Sequence, residues 1–219
     1  MIQIEEPVRK AFPSLRVIDF QIAGVTVKES DLALEKAKAE TAVEVRSQYT
    51  LEGLKDQPLM RKYRDFFWSV GVDPTKTRPA SEALIRRVLS GKTVPTISTF
   101  VDAYNIASIR SGVPVAAFDA DRLQGTTKMR FARGGERFLG IGMGKEVELK
   151  GVEVVLEDNG GLNAIYPYRD ADRTKVTAST KNVALLICGV PGVEDAALEH
   201  ARKLCQETVI IFCGGRLVS

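Results

Sequence analysis

Val183-Ala-Leu-Leu-Ile-Cys188, followed by Pro191-Gly192, is the stretch whose reading decides the fold. Six apolar residues in a row are strand-sized, and Pro-Gly is a turn signal. Beyond the turn, Ala197, Leu198, Ala201, Leu204 and Cys205 recur at helical spacing, which predicts a helix with one inward face. The β-branched run at residues 208–213 then predicts a closing strand. Upstream, Gly134-Gly135 separates residues 129–132 from 137–139, and Asn159-Gly160 separates 152–156 from 162–166. Both read as two-residue hairpin turns, so this part of the chain is predicted to be a meander of short strands.

The first half has a helical period. Residues 30–47 are dense in Ala, Leu, Glu and Lys, with Ser30 and Asp31 suited to the open N–H groups of a helix start. Leu59, Tyr63, Phe66, Phe67 and Val70 recur at spacings of three and four up to Gly71. Arg78-Pro79-Ala80-Ser81 opens an amphipathic helix through Leu84, Ile85, Val88 and Leu89 that stops at Gly91. Thr99 with Asp102 resembles a capping box for a further helix, ended by Gly112 and Pro114, on which Asp102 and Asn105 share a face. Helices first and a meander or sandwich of strands afterwards indicate an α+β layered fold. With no repeat or flexible linker, the one boundary lies near residues 51–58. It divides an N-terminal extension, residues 1–57, packed on the main domain, from an α+β core of residues 58–219.

A chain of 219 residues with 44% hydrophobic content can bury a substantial core. Its formal charge of +3, from 31 basic and 28 acidic residues, is not that of a strong nonspecific nucleic-acid binder, so any RNA contact should be local. Cys188, Cys205 and Cys213 form no C-x-x-C pair and the start carries no secretory pattern, which suits a reducing cytoplasm. No apolar run approaches the roughly 20 residues of a membrane span. One histidine and scattered cysteines offer no metal-ligand spacing, and no cofactor is implied.

Several features invite chemistry and have plainer readings. Gly140-Ile-Gly-Met-Gly-Lys145 resembles a phosphate loop, yet Glu146 follows the lysine and the glycine spacing is wrong, so a hairpin turn is the better reading. His200 sits between Glu199 and Ala201 on the last predicted helix, a setting for a structural histidine rather than a catalytic one. Cys188, at a strand end, is read as a buried thiol. Two basic clusters stand out: Lys128, Arg130, Arg133 and Arg137, and then Arg169, Arg173 and Lys175 after Tyr166 and Tyr168. The second, with aromatics that can stack on unpaired bases, is the better placed for RNA.

Phe100-Val-Asp-Ala-Tyr-Asn105, then Gly112-Val-Pro-Val-Ala-Ala-Phe-Asp119 and Asp121-Arg-Leu-Gln-Gly125, resemble in order the signature of the tRNA-editing domain of the phenylalanyl-tRNA synthetase beta subunit. Arg78-Pro-Ala-Ser-Glu82 and Val176-Thr-Ala-Ser-Thr180 extend the resemblance across residues 78–213. The chain looks most like the stand-alone relatives of that subunit, with no room for aminoacylation by itself. The resemblance implies a protein that handles tRNA, aminoacyl-tRNA or an amino acid, and hydrolysis of a misacylated tRNA ester in trans. The alternatives are a non-catalytic tRNA or amino-acid binding module and a small amide or ester hydrolase. Ala116 stands where the family has its editing histidine, and Tyr104 where it has a pocket threonine. Alignment back from Thr180 places Asp172 at the family's glutamate. On this basis Asp172 and Asn105 are the candidate catalytic residues. Tyr104, Asp102, Ala116, Asp119, Asn163, Ala164, Tyr166, Arg173, Thr174 and Thr177 are the candidate substrate-binding set.

Overall fold

The computed structural model describes residues 2–218. In chain order the elements are β1 (Gln3–Ile4), α1 (Glu6–Ala11), β2 (Val17–Ala23), α2 (Leu32–Gln48), α3 (Pro58–Ser69), α4 (Ala80–Leu89), α5 (Thr99–Ser111), β3 (Val115–Asp119), β4 (Lys128–Phe131), β5 (Arg137–Phe138), β6 (Val147–Glu148), β7 (Val154–Asp158), β8 (Gly161–Ile165), β9 (Arg169–Asp170), β10 (Asn182–Cys188), α6 (Asp195–Cys213) and β11 (Arg216–Leu217). The fold class is the mixed α+β one that the sequence predicts.

The apolar run at β10 is an inner strand of a four-stranded antiparallel sheet ordered β11-β2-β10-β3, with Leu185 opposite Phe20 of β2 and Ala117 of β3. Leu185, Leu186, Ile187 and Cys188 are all buried, because both faces of the strand are covered. Helices α5 and α6 pack on each other and on this sheet. A second sheet, ordered β1-β4-β7-β8-β9, shares the same core through Met129, Leu156, Ala164 and Tyr166. Residues 1–57 contribute β1, which runs parallel to β4, and β2, which lies beside β10.

The helix signals have the expected partners. Asp31 accepts from the N–H groups of Ala33 and Leu34 at 2.9 and 3.1 Å, and Tyr63, Phe66 and Phe67 of α3 are buried. The start of α5 differs by one residue from the capping box read in the sequence. Ser98 is the cap, accepting from Val101 N–H at 3.3 Å, while the Asp102 carboxylate accepts from Ile97 N–H at 3.0 Å.

Two strand expectations are corrected. Residues 208–213 continue α6: no turn residue interrupts the chain after Cys205, and Leu198, Ala201, Cys205, Thr208, Val209 and Cys213 form one buried helical face while Ile211 is exposed. Packing overrides the β-branched composition. The Gly134-Gly135 turn does not close a hairpin, since β4 pairs with β7 and β5 pairs with β6. The Asn159-Gly160 hairpin does form, joining β7 to β8 with Asp158 opposite Gly161. Gly140-Ile-Gly-Met-Gly-Lys145 lies in the connection between the paired strands β5 and β6, as its turn reading expects.

The end of β10 is pinned by two buried tyrosines. The Tyr63 hydroxyl donates to the Cys188 carbonyl at 2.7 Å and the Tyr166 hydroxyl to the Gly189 carbonyl. A Cβ at Gly189 would stand 2.2 Å from the Arg16 carbonyl oxygen and 2.8 Å from Leu198, so backbone would have to move. Gly189→Ala is expected to lower the unfolding free energy by about 3 kcal/mol, measurable by denaturant titration.

Candidate functional site

The motif residues are carried by α5 and β3. Gly112 closes α5 in the left-handed conformation, φ 72°, and a Cβ there would meet Leu59 at 2.9 Å. The chain then turns through Pro114 into β3, an edge strand paired only with β10. Along that edge lies β9. The Asp170 carboxylate accepts from the N–H of Ala117 at 3.4 Å, beside Ala116. Burial raises the Asp170 carboxyl from its ordinary 3.8 to about 7, against smaller opposing effects of the Ala117 N–H and the Arg169 charge.

Tyr104 of α5 belongs to the same cluster. Its ring stands edge-on to Phe100 at 5.6 Å, and its hydroxyl is pushed above the usual phenol range first by burial and then by the charge of Asp170. Cys188, buried as the sequence suggests, is raised by burial and again by Asp170. Tyr104, the Ala116-Ala117 edge and Asp170 thus share one electrostatic environment. A carboxyl near 7 is divided between its acid and base forms at neutral pH, the condition for moving a proton to or from water.

Asp172 faces elsewhere. Its side chain pairs with Lys175 at 2.7 Å and lines a cavity of about 340 Å³ with Arg137, Phe138, Leu139, Glu146 and Arg173. Arg173 is committed to Asp158, to Asn163 Oδ1 at 2.7 Å, and to the carbonyl of Leu162 at 3.2 Å. Asn163 and Thr174 are fully buried, and the Asn163 amide nitrogen and the Thr174 hydroxyl have no partner among the described residues. Ala164 is buried in β8. Tyr166 is only 1% exposed, so its ring is inside the core and unavailable to a base.

Asp102, Asp119 and Thr177 of the candidate set make contacts that hold the fold. Asp102 pairs with Lys38 of α2 at 2.9 Å, both buried, and Asn105 lies on the same α5 face, 9% exposed. Asp119 accepts from the Thr180 hydroxyl at 2.6 Å and from Asp121 N–H at 3.1 Å, closing the turn after β3. Thr177 donates its N–H to the Thr180 hydroxyl at 3.0 Å. The structure therefore sets Asp170 against the β3 edge at Ala117 and within electrostatic reach of Tyr104, and places Asp172 and Arg173 at a different opening. The signal for Asp170 was its place two residues before Asp172 in the same acidic turn.

The basic clusters read in the sequence are largely neutralised. Arg130 is 5% exposed and doubly paired with Glu136 and Glu157, whose carboxyls it holds below the ordinary range. Arg130→Met is expected to cost about 1–3 kcal/mol of stability, read by thermal or denaturant unfolding, because it takes the shared guanidinium from two carboxylates and leaves them Arg133 alone. His200 is exposed on α6. No helix among the described residues is long and apolar enough to cross a membrane.

A mixed α+β body whose capped helix and edge strand carry the ordered motif defines the class. The chain belongs to the B3/4 domain family, which matches residues 62–209. It is similar to the phenylalanine–tRNA ligase beta subunit of Mycoplasma pneumoniae, 31% identical over 87 residues, 40% of this chain and 11% of that protein. The same subunit of Bartonella henselae is 26% identical over 159 residues, 62% of this chain and 20% of that protein. The chain thus spans a fifth or less of these curated relatives. Its fold resembles the N-terminal fragment of the phenylalanyl-tRNA synthetase beta subunit from Pyrococcus horikoshii, with a TM-score of 0.52, 15% identity, and coverage of 99% of this chain and 50% of that one.

Proposed function

We propose that this chain acts in trans on aminoacyl-tRNA, hydrolysing the ester of a misacylated tRNA with Asp170 as the general base. The observation that carries the reading is the contact of Asp170 with the β3 edge at Ala117, next to the position where the family resemblance puts a histidine. Asp170 stands in for that missing histidine and takes the part the sequence assigned to Asp172 and Asn105. Its carboxylate accepts a proton from water as the water attacks the ester carbonyl, and the ribose oxygen leaves with a proton from the medium. The ester is already activated, so positioning a water beside a matched base is sufficient chemistry. Tyr104 at a threonine position and Ala116 at a histidine position change the size and polarity of the pocket, so the preferred residue is not tyrosine.

Support comes from the kinship to beta subunits of phenylalanine–tRNA ligase and from the perturbed carboxyl at the motif. A panel of correctly and wrongly charged tRNAs, incubated with the purified protein, tests the reading through loss of the aminoacyl bond. Deacylation of at least one species is the expected result; survival of every charged tRNA sinks it. One observation favours a second reading, a non-catalytic binding module: Ala116 brings neither base nor donor. Tight tRNA or amino-acid binding without deacylation identifies that module, and hydrolysis of small esters regardless of tRNA identifies a general esterase.

A further inference from the structure

Arg130, Arg133, Arg173 and Lys175 are held in ion pairs, which leaves Lys128 and Arg169 as the cations of the two clusters without one among the described residues; a larger group of cations gathers elsewhere. An open groove of about 510 Å³ beside α4 is lined by Lys76, Arg78, Arg86, Arg87 and Lys92, with Ala83, Ser90 and Leu51 completing its wall. The chain as a whole is nearly balanced, so five cations in one concavity are a local feature.

The groove is also organised. Arg86 is fixed by Glu82, which accepts from its Nε at 2.7 Å, and by the Leu51 carbonyl, which accepts from Nη1 at 3.3 Å. Arg87 is fixed through its Nε to the Thr93 carbonyl at 2.8 Å. These bonds leave Arg86 Nη2 and both terminal nitrogens of Arg87 for a ligand. Glu82 is fully buried and shared with Arg64 at 2.9 Å, so it is already matched by two guanidinium groups. Lys76 has only a long contact to Asp73, 4.0 Å, and neither Arg78 nor Lys92 makes a side-chain hydrogen bond or ion pair among the described residues. Basic residues in a last helical turn answer the helix dipole, which explains Arg86 and Arg87. It does not explain Arg78 before the helix or Lys76 in the preceding loop.

We propose that this α4 groove binds the phosphate backbone of the RNA partner, at a site separate from Asp170. The proposal rests on the tRNA reading above for the identity of the RNA. Held guanidinium edges suit phosphate oxygens, and a row of cations matches successive phosphates along a strand. The contact is sequence-independent and strongly salt-dependent.

The test uses the triple variant Arg78→Gln, Arg87→Gln, Lys92→Gln, all exposed positions outside the Glu82 pairing, with unchanged thermal unfolding as the folding control. Uncharged tRNA binding is measured across a salt series, with anionic phospholipid vesicles as a second probe. Deacylation of charged tRNA and of a 3′-aminoacyl adenosine, which has no backbone to hold, are measured beside it. Weakening of tRNA binding by about 10–100-fold, with the log–log salt slope lower by about 2–3, supports the groove. Aminoacyl adenosine hydrolysis should be unaffected. The same affinity and slope as the parent protein overturn the groove and leave the hydrolysis reading standing. Loss of tRNA binding in the triple variant of a protein that deacylates nothing keeps the groove and removes the hydrolysis. A parent protein that binds the vesicles but not tRNA overturns the groove as an RNA site.

Discussion

Asp170→Asn is expected to slow deacylation by about 10²–10⁴-fold, the range for removing a general base, while Asp172→Asn leaves the rate within a few-fold. The two residues are separated by a single alanine, and only Asp170 touches the β3 edge. For the unaltered protein, kcat/KM should rise with pH and level off above about 7, where the Asp170 carboxyl is ionised. Stability should run the other way. Between its ordinary 3.8 and about 7, this carboxyl is protonated in the folded chain and ionised in the unfolded one, so the folded state holds more protons. The stabilisation from it is fully present below about pH 4 and is lost as pH rises through 7. Asparagine at 170 removes that loss, so the difference in denaturant midpoint between Asp170→Asn and its parent should widen in favour of the variant from pH 4 to pH 8. Glu136 and Glu157 contribute the opposite slope, lost as pH falls through their lowered values, but equally in both proteins. A rate that survives in Asp170→Asn removes Asp170 as the base whatever the stability curve does.

What the sequence made legible and what it hid follow from the range over which each signal acts. The helix start at Asp31, the stop at Gly112 and the hairpin at Asn159-Gly160 are local: a side chain or a turn conformation answers backbone groups a few residues away, and each formed. Strand pairing is not local, so nothing in Gly134-Gly135 says that β4 chooses β7 over β5. Strand β2 lies outside the meander that the sequence predicts, although Ile18, Phe20 and Ile22 alternate with Asp19 and Gln21 in it. The α6 end fails for another reason, since its β-branched residues fit a helix whose buried face simply continues past Cys205. The site is the least local feature. Asp170 and Asp172 are nearly equivalent in sequence, and what tells them apart is the approach of β9 to β3 from more than fifty positions away.

The same distinction between local motif and distant partner decides Asp102. In the motif it looks like a pocket residue, yet Lys38, 64 positions away, meets it at 2.9 Å, with both side chains nearly inaccessible to solvent. Lys38 also donates to Thr96 and Glu35, each at 2.7 Å, so its ammonium satisfies three acceptors from two elements and a loop. Lys38→Met removes the cation and leaves a buried carboxylate whose remaining bond is from Ile97 N–H. The expected loss of stability is about 3–5 kcal/mol, seen as a lower denaturant midpoint. Pairing that change with Asp102→Leu removes the stranded charge as well, and should recover most of the loss, because an ion pair replaced on both sides by apolar groups is close to neutral. The double variant also answers a question of function. If Asp102 only braces α5 against α2, the refolded double variant deacylates tRNA within a few-fold of its parent. A double variant that is as stable as the parent but has lost the rate returns Asp102 to the pocket and moves the chemistry toward the α2 side of the helix.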